Sequence, residues 1–210
     1  MRPLALALAV AAAATTLSAC APLIVGGAMV GGSMMFIDRR TSGAQVEDEG
    51  IELKAGNAVR DLATLGHVNI TSYNRQVLLT GEVPTEDDRQ RVERAVHRVE
   101  NVRSVVNELA VAGNSSLGSR STDSIITSKV KATFVDAKDL QAPALKVVTE
   151  RATVYLMGRV TEREATRASD LARSVSGVQR VVRVFEVISE AELANLQKAT
   201  QPSEPAPASR

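Results

Sequence analysis

Two stretches of this chain carry the same alternation of apolar and polar positions. Val77-Leu-Leu-Thr-Gly81-Glu-Val83 and Val154-Tyr-Leu-Met-Gly158-Arg-Val160 both read V-x-L-x-G-x-V, 77 positions apart. Each follows a shorter alternating run, Val68–Tyr73 and Leu145–Thr149. A polar link joins run to stretch, Asn74-Arg75 in one case and Glu150-Arg151 in the other. Period-two alternation with β-branched residues across a tight polar link predicts two β-hairpins.

After each hairpin the period changes. Thr85 and Thr161 each stand three residues before a carboxylate, Asp88 and Glu164, which predicts capped helix starts, with helices running to about Glu100 and Ser176. Valine-rich last strands follow, Val105–Leu109 and Val181–Val187. Helical segments are also predicted before the hairpins, over Asp48–Leu62 and Asp123–Asp136, an offset of 75. The unit is helix, strand, strand, helix, strand, and it occurs twice. The fold class is therefore α+β, two tandem small domains with helices packed on one face of a three-stranded sheet. Residues 47–112 and 121–189 are the domains, and the Gly/Ser/Asn-rich 113–120 is the linker.

The ends of the chain add a location. Arg2, the apolar run Leu4–Ala14 and small residues up to Ala19 predict a secretory signal over 1–19, too short to span a bilayer. The sole cysteine, Cys20, directly follows it, and Leu17-Ser18-Ala19-Cys20 resembles the bacterial lipobox. That resemblance makes Cys20 the lipid-attachment residue. Several acyl chains there anchor firmly, at about 0.8 kcal/mol per buried methylene. In the lipoproteins that this stretch resembles, a residue such as Ala21, rather than Asp, in the next position favours the outer membrane. Residues 20–46 read as a lipid-proximal tether. Its apolar part, Leu23–Ile37, falls short of the roughly 20 residues of a spanning helix and is twice broken by Gly-Gly. Residues 190–210 end in a proline-rich polar tail, expected to be disordered.

Composition excludes several functions. Lys+Arg number 25 and Asp+Glu 24, so no electrostatic footprint for nucleic acid exists. Aromatics are 2% with no tryptophan, which removes stacking platforms for single strands. His67 and His97 are isolated, with no H-E-x-x-H and no Cys–His set. No catalysis, metal or cofactor is expected.

V-x-L-x-G-x-V, then a capped helix, then Gly177-Val178 leading to Val181, resembles the BON domain. Two such domains behind a lipobox resemble the dual BON-domain outer-membrane lipoproteins. Asp38-Arg-Arg-Thr41, Ser121–Val130 and, most specifically, Val154–Glu164 extend the likeness. The resemblance implies a periplasm-facing lipoprotein that supports envelope integrity and whose second domain binds anionic phospholipid through its first helix.

The residues themselves can be read for that site. On the first helix of the second copy, Ile126, Val130, Thr133 and Phe134 share one face, the expected core stripe. Ile125, Ser128, Lys131 and Val135 lie off it. At an offset of 75 the first copy keeps the stripe (Ile51, Ala55, Ala58, Val59) but replaces Ile125, Lys131 and Val135 by Gly50, Gly56 and Arg60. Apolar wedges flanked by Lys129 and Lys131 suit an anionic lipid surface. The expected contact set is Gly118, Thr122, Ile125, Ser128, Lys129, Lys131 and Val135. Gly118 matches a glycine at the edge of the family's lipid contact, and Thr122 and Asp123 are expected N-caps. The family carries tryptophan where this chain has Ile125, so weaker or less depth-selective binding is implied. The rival reading is a periplasmic interaction scaffold, whose domains dock an envelope protein or each other.

Overall fold

The computed structural model describes residues 38–62 and 66–200. Cys20, the apolar part of the tether and the proline-rich tail from residue 201 lie outside the described residues. The elements, in chain order, are α1 (Ser42–Val59), β1 (His67–Tyr73), β2 (Gln76–Val83), α2 (Glu86–His97), β3 (Ser104–Asn107) and β4 (Ala110–Val111) in the first copy. The second has α3 (Leu117–Asp136), a 3₁₀ turn (Ala142–Ala144), β5 (Leu145–Glu150), β6 (Thr153–Val160), α4 (Glu162–Ser174) and β7 (Arg180–Val187), followed by α5 (Glu190–Thr200).

Both copies are α+β units of one design. An antiparallel hairpin, β1–β2 or β5–β6, is joined on its second strand by the last strand in parallel. In the first copy that last strand is cut into β3 and β4, both paired with β2. The cut lies where the Asn107 side chain accepts from the Leu109 amide and Leu109 turns into the core. A single strand over Val105–Leu109 was expected, and this side-chain bond is what interrupts it.

The motif glycine has a steric reason. Gly81 has φ +110°, and a Cβ there would stand 1.9 Å from the His67 carbonyl oxygen. Only glycine lets β1 and β2 close at that point.

Several boundaries differ from those expected. α1 and α3 begin at Ser42 and Leu117, well before Asp48 and Asp123, because Thr41 and Ser116 are the caps, accepting from the amides of Ala44 and Ser119 at 3.1 Å. Thr122 and Asp123 are therefore interior residues, and Gly118 lies in the first turn of α3. The second hairpin turns on Arg151-Ala152, both at positive φ, while Glu150 pairs with Thr153 as the end of β5. Ala58 is exposed rather than core, and Thr133 is only half-buried; Ile51, Ala55, Val59, Ile126, Val130 and Phe134 are buried. Residues 190–200 form α5: the Ser189 hydroxyl accepts from the Glu192 amide, and Leu193 is buried. A serine cap with acidic residues in the first turn outweighed the composition of the tail.

Each sheet buries one face under its own helices. Ile51, Ala55, Val59, Val77, Leu79, Val83, Val92 and Val96 fill the first core; Ile126, Val130, Phe134, Val154, Leu156 and Ala168 belong to the second. The other faces meet each other. Tyr73, Leu78, Tyr155, Met157 and Val184 form a third apolar cluster between the domains. The layers thus run helices, sheet, sheet, helices.

Candidate lipid-facing surface

All seven residues named for lipid contact are exposed on α3. Ile125 is 56% and Val135 67% exposed, although both are apolar. With Ser128 they form the centre of the outer face, Lys131 on one flank and Thr122 and Lys129 on the other. Gly118 sits at the N-terminal end of the same face. The structure adds a residue that sequence reading placed in the linker. Leu117, 81% exposed, opens α3 on the same stripe as Ser121, Ile125, Ser128, Ala132 and Val135. Ser116 followed three residues on by Ser119 was the signal for it, a serine start without the usual carboxylate. From Leu117 to Val135 the stripe runs about 27 Å at 1.5 Å per residue.

Several hydroxyls on this helix bond back to carbonyls one turn earlier. Thr122 donates to the Gly118 carbonyl at 3.0 Å, Ser124 to Arg120 at 3.1 Å and Ser128 to Ser124 at 3.0 Å. Such back-bonding lowers the cost of moving the face out of water. Lys129 and Lys131 make no ion pair among the described residues. Their ammonium groups are free to meet phosphates.

The outer face of α1 is not only glycine and charge, as the repeat suggested: Val46 is 69% and Leu53 70% exposed. These align with Ser121 and Ser128 at the offset of 75, so the two helices display apolar groups at different positions. The cations differ more clearly. Lys54 is paired with Glu100 at 2.7 Å, Arg60 donates to Asn57, and Glu47 and Glu49 lie nearby in sequence. Of these two helices, it is α3 that combines apolar wedges with lysines outside any ion pair among the described residues.

Asp123, expected as a cap, instead holds the hairpin. Its carboxylate accepts from the amides of Arg151 at 2.9 Å and Ala152 at 2.8 Å. This ties α3 rigidly to the β5–β6 turn and fixes which face points outward. The histidines stay apart: His67 Nε2 lies 3.2 Å from Asn69 Nδ2, and His97 lies 4.0 Å from Glu93. Among the described residues no group of three His, Cys, Asp or Glu could hold a metal ion. No helix of the described residues is long and apolar enough to cross a membrane.

Comparison with known proteins gives a consistent picture. The BON domain pattern matches residues 48–113 and 122–189. Outer membrane lipoprotein DolP of Haemophilus influenzae is 39% identical over 176 residues, 82% of this chain and 90% of the relative. A 21 kDa hemolysin of Actinobacillus pleuropneumoniae is 32% identical over 155 residues, 72% of this chain and 80% of the relative. Among solved structures, CdsD, a structural protein of the type III secretion system of Chlamydia trachomatis, is 10% identical with a TM-score of 0.29, covering 71% of this chain and 98% of that one. A score so low carries no argument.

Proposed function

The chain belongs to the BON-domain family, with two copies of the domain, and from that premise we propose that it is a non-catalytic, lipid-anchored outer-membrane protein that binds anionic phospholipid through α3 and helps maintain envelope integrity. Cys20 supplies the first membrane contact and α3 the second. The observation that carries this reading is the outer face of α3, where Leu117, Ile125 and Val135 stand exposed beside Lys129 and Lys131. Apolar side chains enter the headgroup boundary, and each lysine near an anionic surface adds about 1 kcal/mol. The H. influenzae relative, an outer membrane lipoprotein by name, supports the location.

The test is flotation of residues 38–200, unlipidated, with vesicles containing phosphatidylglycerol or phosphatidylcholine alone, beside an Ile125→Glu/Lys131→Glu variant. The segment begins at Asp38 because Arg39 and Arg40 are packed into the domains. Binding to anionic vesicles only, lost in the variant and weakened by salt, is the expected result. Equal flotation of both proteins, or none with either lipid, overturns the lipid reading.

A second reading has its own observation. Val46 and Leu53 are exposed on α1, where Lys54 and Arg60 are already engaged. That face suits an envelope protein better than a phosphate-bearing surface, and α1 lies in the opposite helix layer from α3. Both activities can therefore operate together.

A further inference from the structure

The two residues that join the tether to the folded body point into different domains. Arg40 turns into the first: its guanidinium reaches Asp48 at 2.7 Å and Asp38 at 2.7 Å, and stacks 4.3 Å from the centre of the Tyr73 ring. Arg39 turns into the second. Its two terminal nitrogens grip the two oxygens of Glu164 at 2.7 Å each, and one of them also donates to the Arg159 carbonyl at 2.8 Å. Both side chains of this pair are buried. A fork-to-fork pair of this kind is directional as well as strong.

The neighbourhood connects this grip to the domain seam and to α3. Glu164 also accepts from the Thr161 amide at 3.0 Å, closing the capping box at the start of α4. Arg159 donates back to the Arg39 carbonyl at 3.4 Å and pairs with Glu186 and Glu192. Glu186 in turn holds Asn74 and Arg103 of the first domain. The middle of α4 reaches the segment that follows α3, where Arg167 pairs with Asp139, three residues past Asp136. Of the other charged contacts across the seam, Arg180–Glu108 is solvent-exposed and Lys146–Glu52 is half-buried. Exposed pairs hold little; the apolar seam cluster and the buried Tyr73 hydroxyl, which donates to the Ala144 carbonyl, stand beside the Arg39 grip.

The geometry points to Arg39 as a latch between the two domains: closed, it clamps the chain that leads into α1 onto the start of α4 and, with the seam, holds the two domains, α3 included, as one body. This rests on the lipid reading for what α3 touches; Arg39 itself touches no lipid and is a positioning residue.

The test uses the full lipidated chain in phosphatidylglycerol/phosphatidylethanolamine vesicles, with spin labels on Gln90→Cys in the first domain and Ser176→Cys in the second. With Arg39 intact, a single narrow inter-label distance is expected. Arg39→Gln broadens or splits it, and Arg39→Lys, keeping charge but not the fork, lies between. Should Arg39→Gln fail to fold by circular dichroism, Glu164→Gln replaces it, because the amide oxygen still accepts from Thr161. An unchanged narrow distance in a folded Gln variant overturns the latch. Flotation of the unlipidated parent, run alongside, judges the lipid reading separately: its failure leaves the distance measurement to decide the latch alone.

Discussion

Asp48 and Asp123 occupy the same position in the two copies, and each carboxylate caps the turn of its own hairpin. Asp48 accepts from the amides of Asn74 and Arg75 at 2.7 Å, and Asp123 from those of Arg151 and Ala152. The turn residues stand at positive φ, between 49° and 67°. Their amides point away from the sheet and need an acceptor. A first helix thereby sets the pitch of its own sheet in both domains.

That shared duty predicts unequal losses on truncation. Asp123→Ala removes two charge-assisted bonds and is expected to cost about 2–3 kcal/mol. Asp48→Ala costs more, because Ser72 and Arg40 also donate to that carboxylate. Urea unfolding of the two variants measures the order, and an Asp48 loss smaller than that of Asp123 would contradict it.

The α3 face predicts a graded membrane response. Leu117→Ser and Val135→Ser should each weaken binding to anionic vesicles, and Ile125→Trp should strengthen it by supplying an indole for the headgroup level. Lys129→Gln is expected to lower affinity about fivefold, from about 1 kcal/mol of surface attraction. Sedimentation with vesicles at two salt concentrations reads all four. An Ile125→Trp variant that binds no better would remove the depth argument.

At Gly81 the prediction concerns folding alone. Gly81→Ala places a methyl group 1.9 Å from the His67 carbonyl at a φ that side chains rarely adopt. A loss of about 3 kcal/mol or more is expected, seen as a lowered Tm or an absence of folded protein. A near-native Tm would mean that β1 can move aside.

Acid should loosen the molecule through three carboxylates. Burial alone would raise the pKa of Asp48, Glu164 and Glu186. Bonds from Arg75, Ser72 and Arg40, from Arg39 and Thr161, and from Asn74 and Arg103 outweigh it and hold all three below the usual range. A depressed folded-state pKa adds stability that is complete above the ordinary carboxylate value, about 4, and is lost as pH falls through the depressed one. Glu150 runs the other way: burial and the charges of Glu82 and Asp123 push it up despite Asn69 and His67. Its contribution falls as pH rises past the ordinary value. Urea midpoints should therefore drop steeply below about pH 4, with Glu164→Gln showing a shallower drop. Parallel curves for parent and variant would remove Glu164 from the acid transition.

The chain's own pattern determined the repeated unit, the α+β class, the threonine caps at Thr85 and Thr161, the core stripes of α1 and α3 apart from Ala58 and Thr133, and the exposed set Ile125, Lys131 and Val135. These are local: period, hydroxyl-to-amide spacing and alternation act over a few residues, so they can be read in order along the sequence. Tertiary structure decided the rest. Asp48 and Asp123 looked like helix starts because their partners, the hairpin turns, are more than twenty residues away. Leu117 reads as linker in the sequence because the cap before it, Ser116, has no carboxylate three residues on. The seam was invisible because Tyr73, Leu78, Tyr155 and Met157 alternate like any solvent-side strand residues; only the meeting of two sheets buries them. Arg39 and Glu164, 125 positions apart, carry no pattern that links them. Long-range pairing of single charges is set by packing, and only the folded chain displays it.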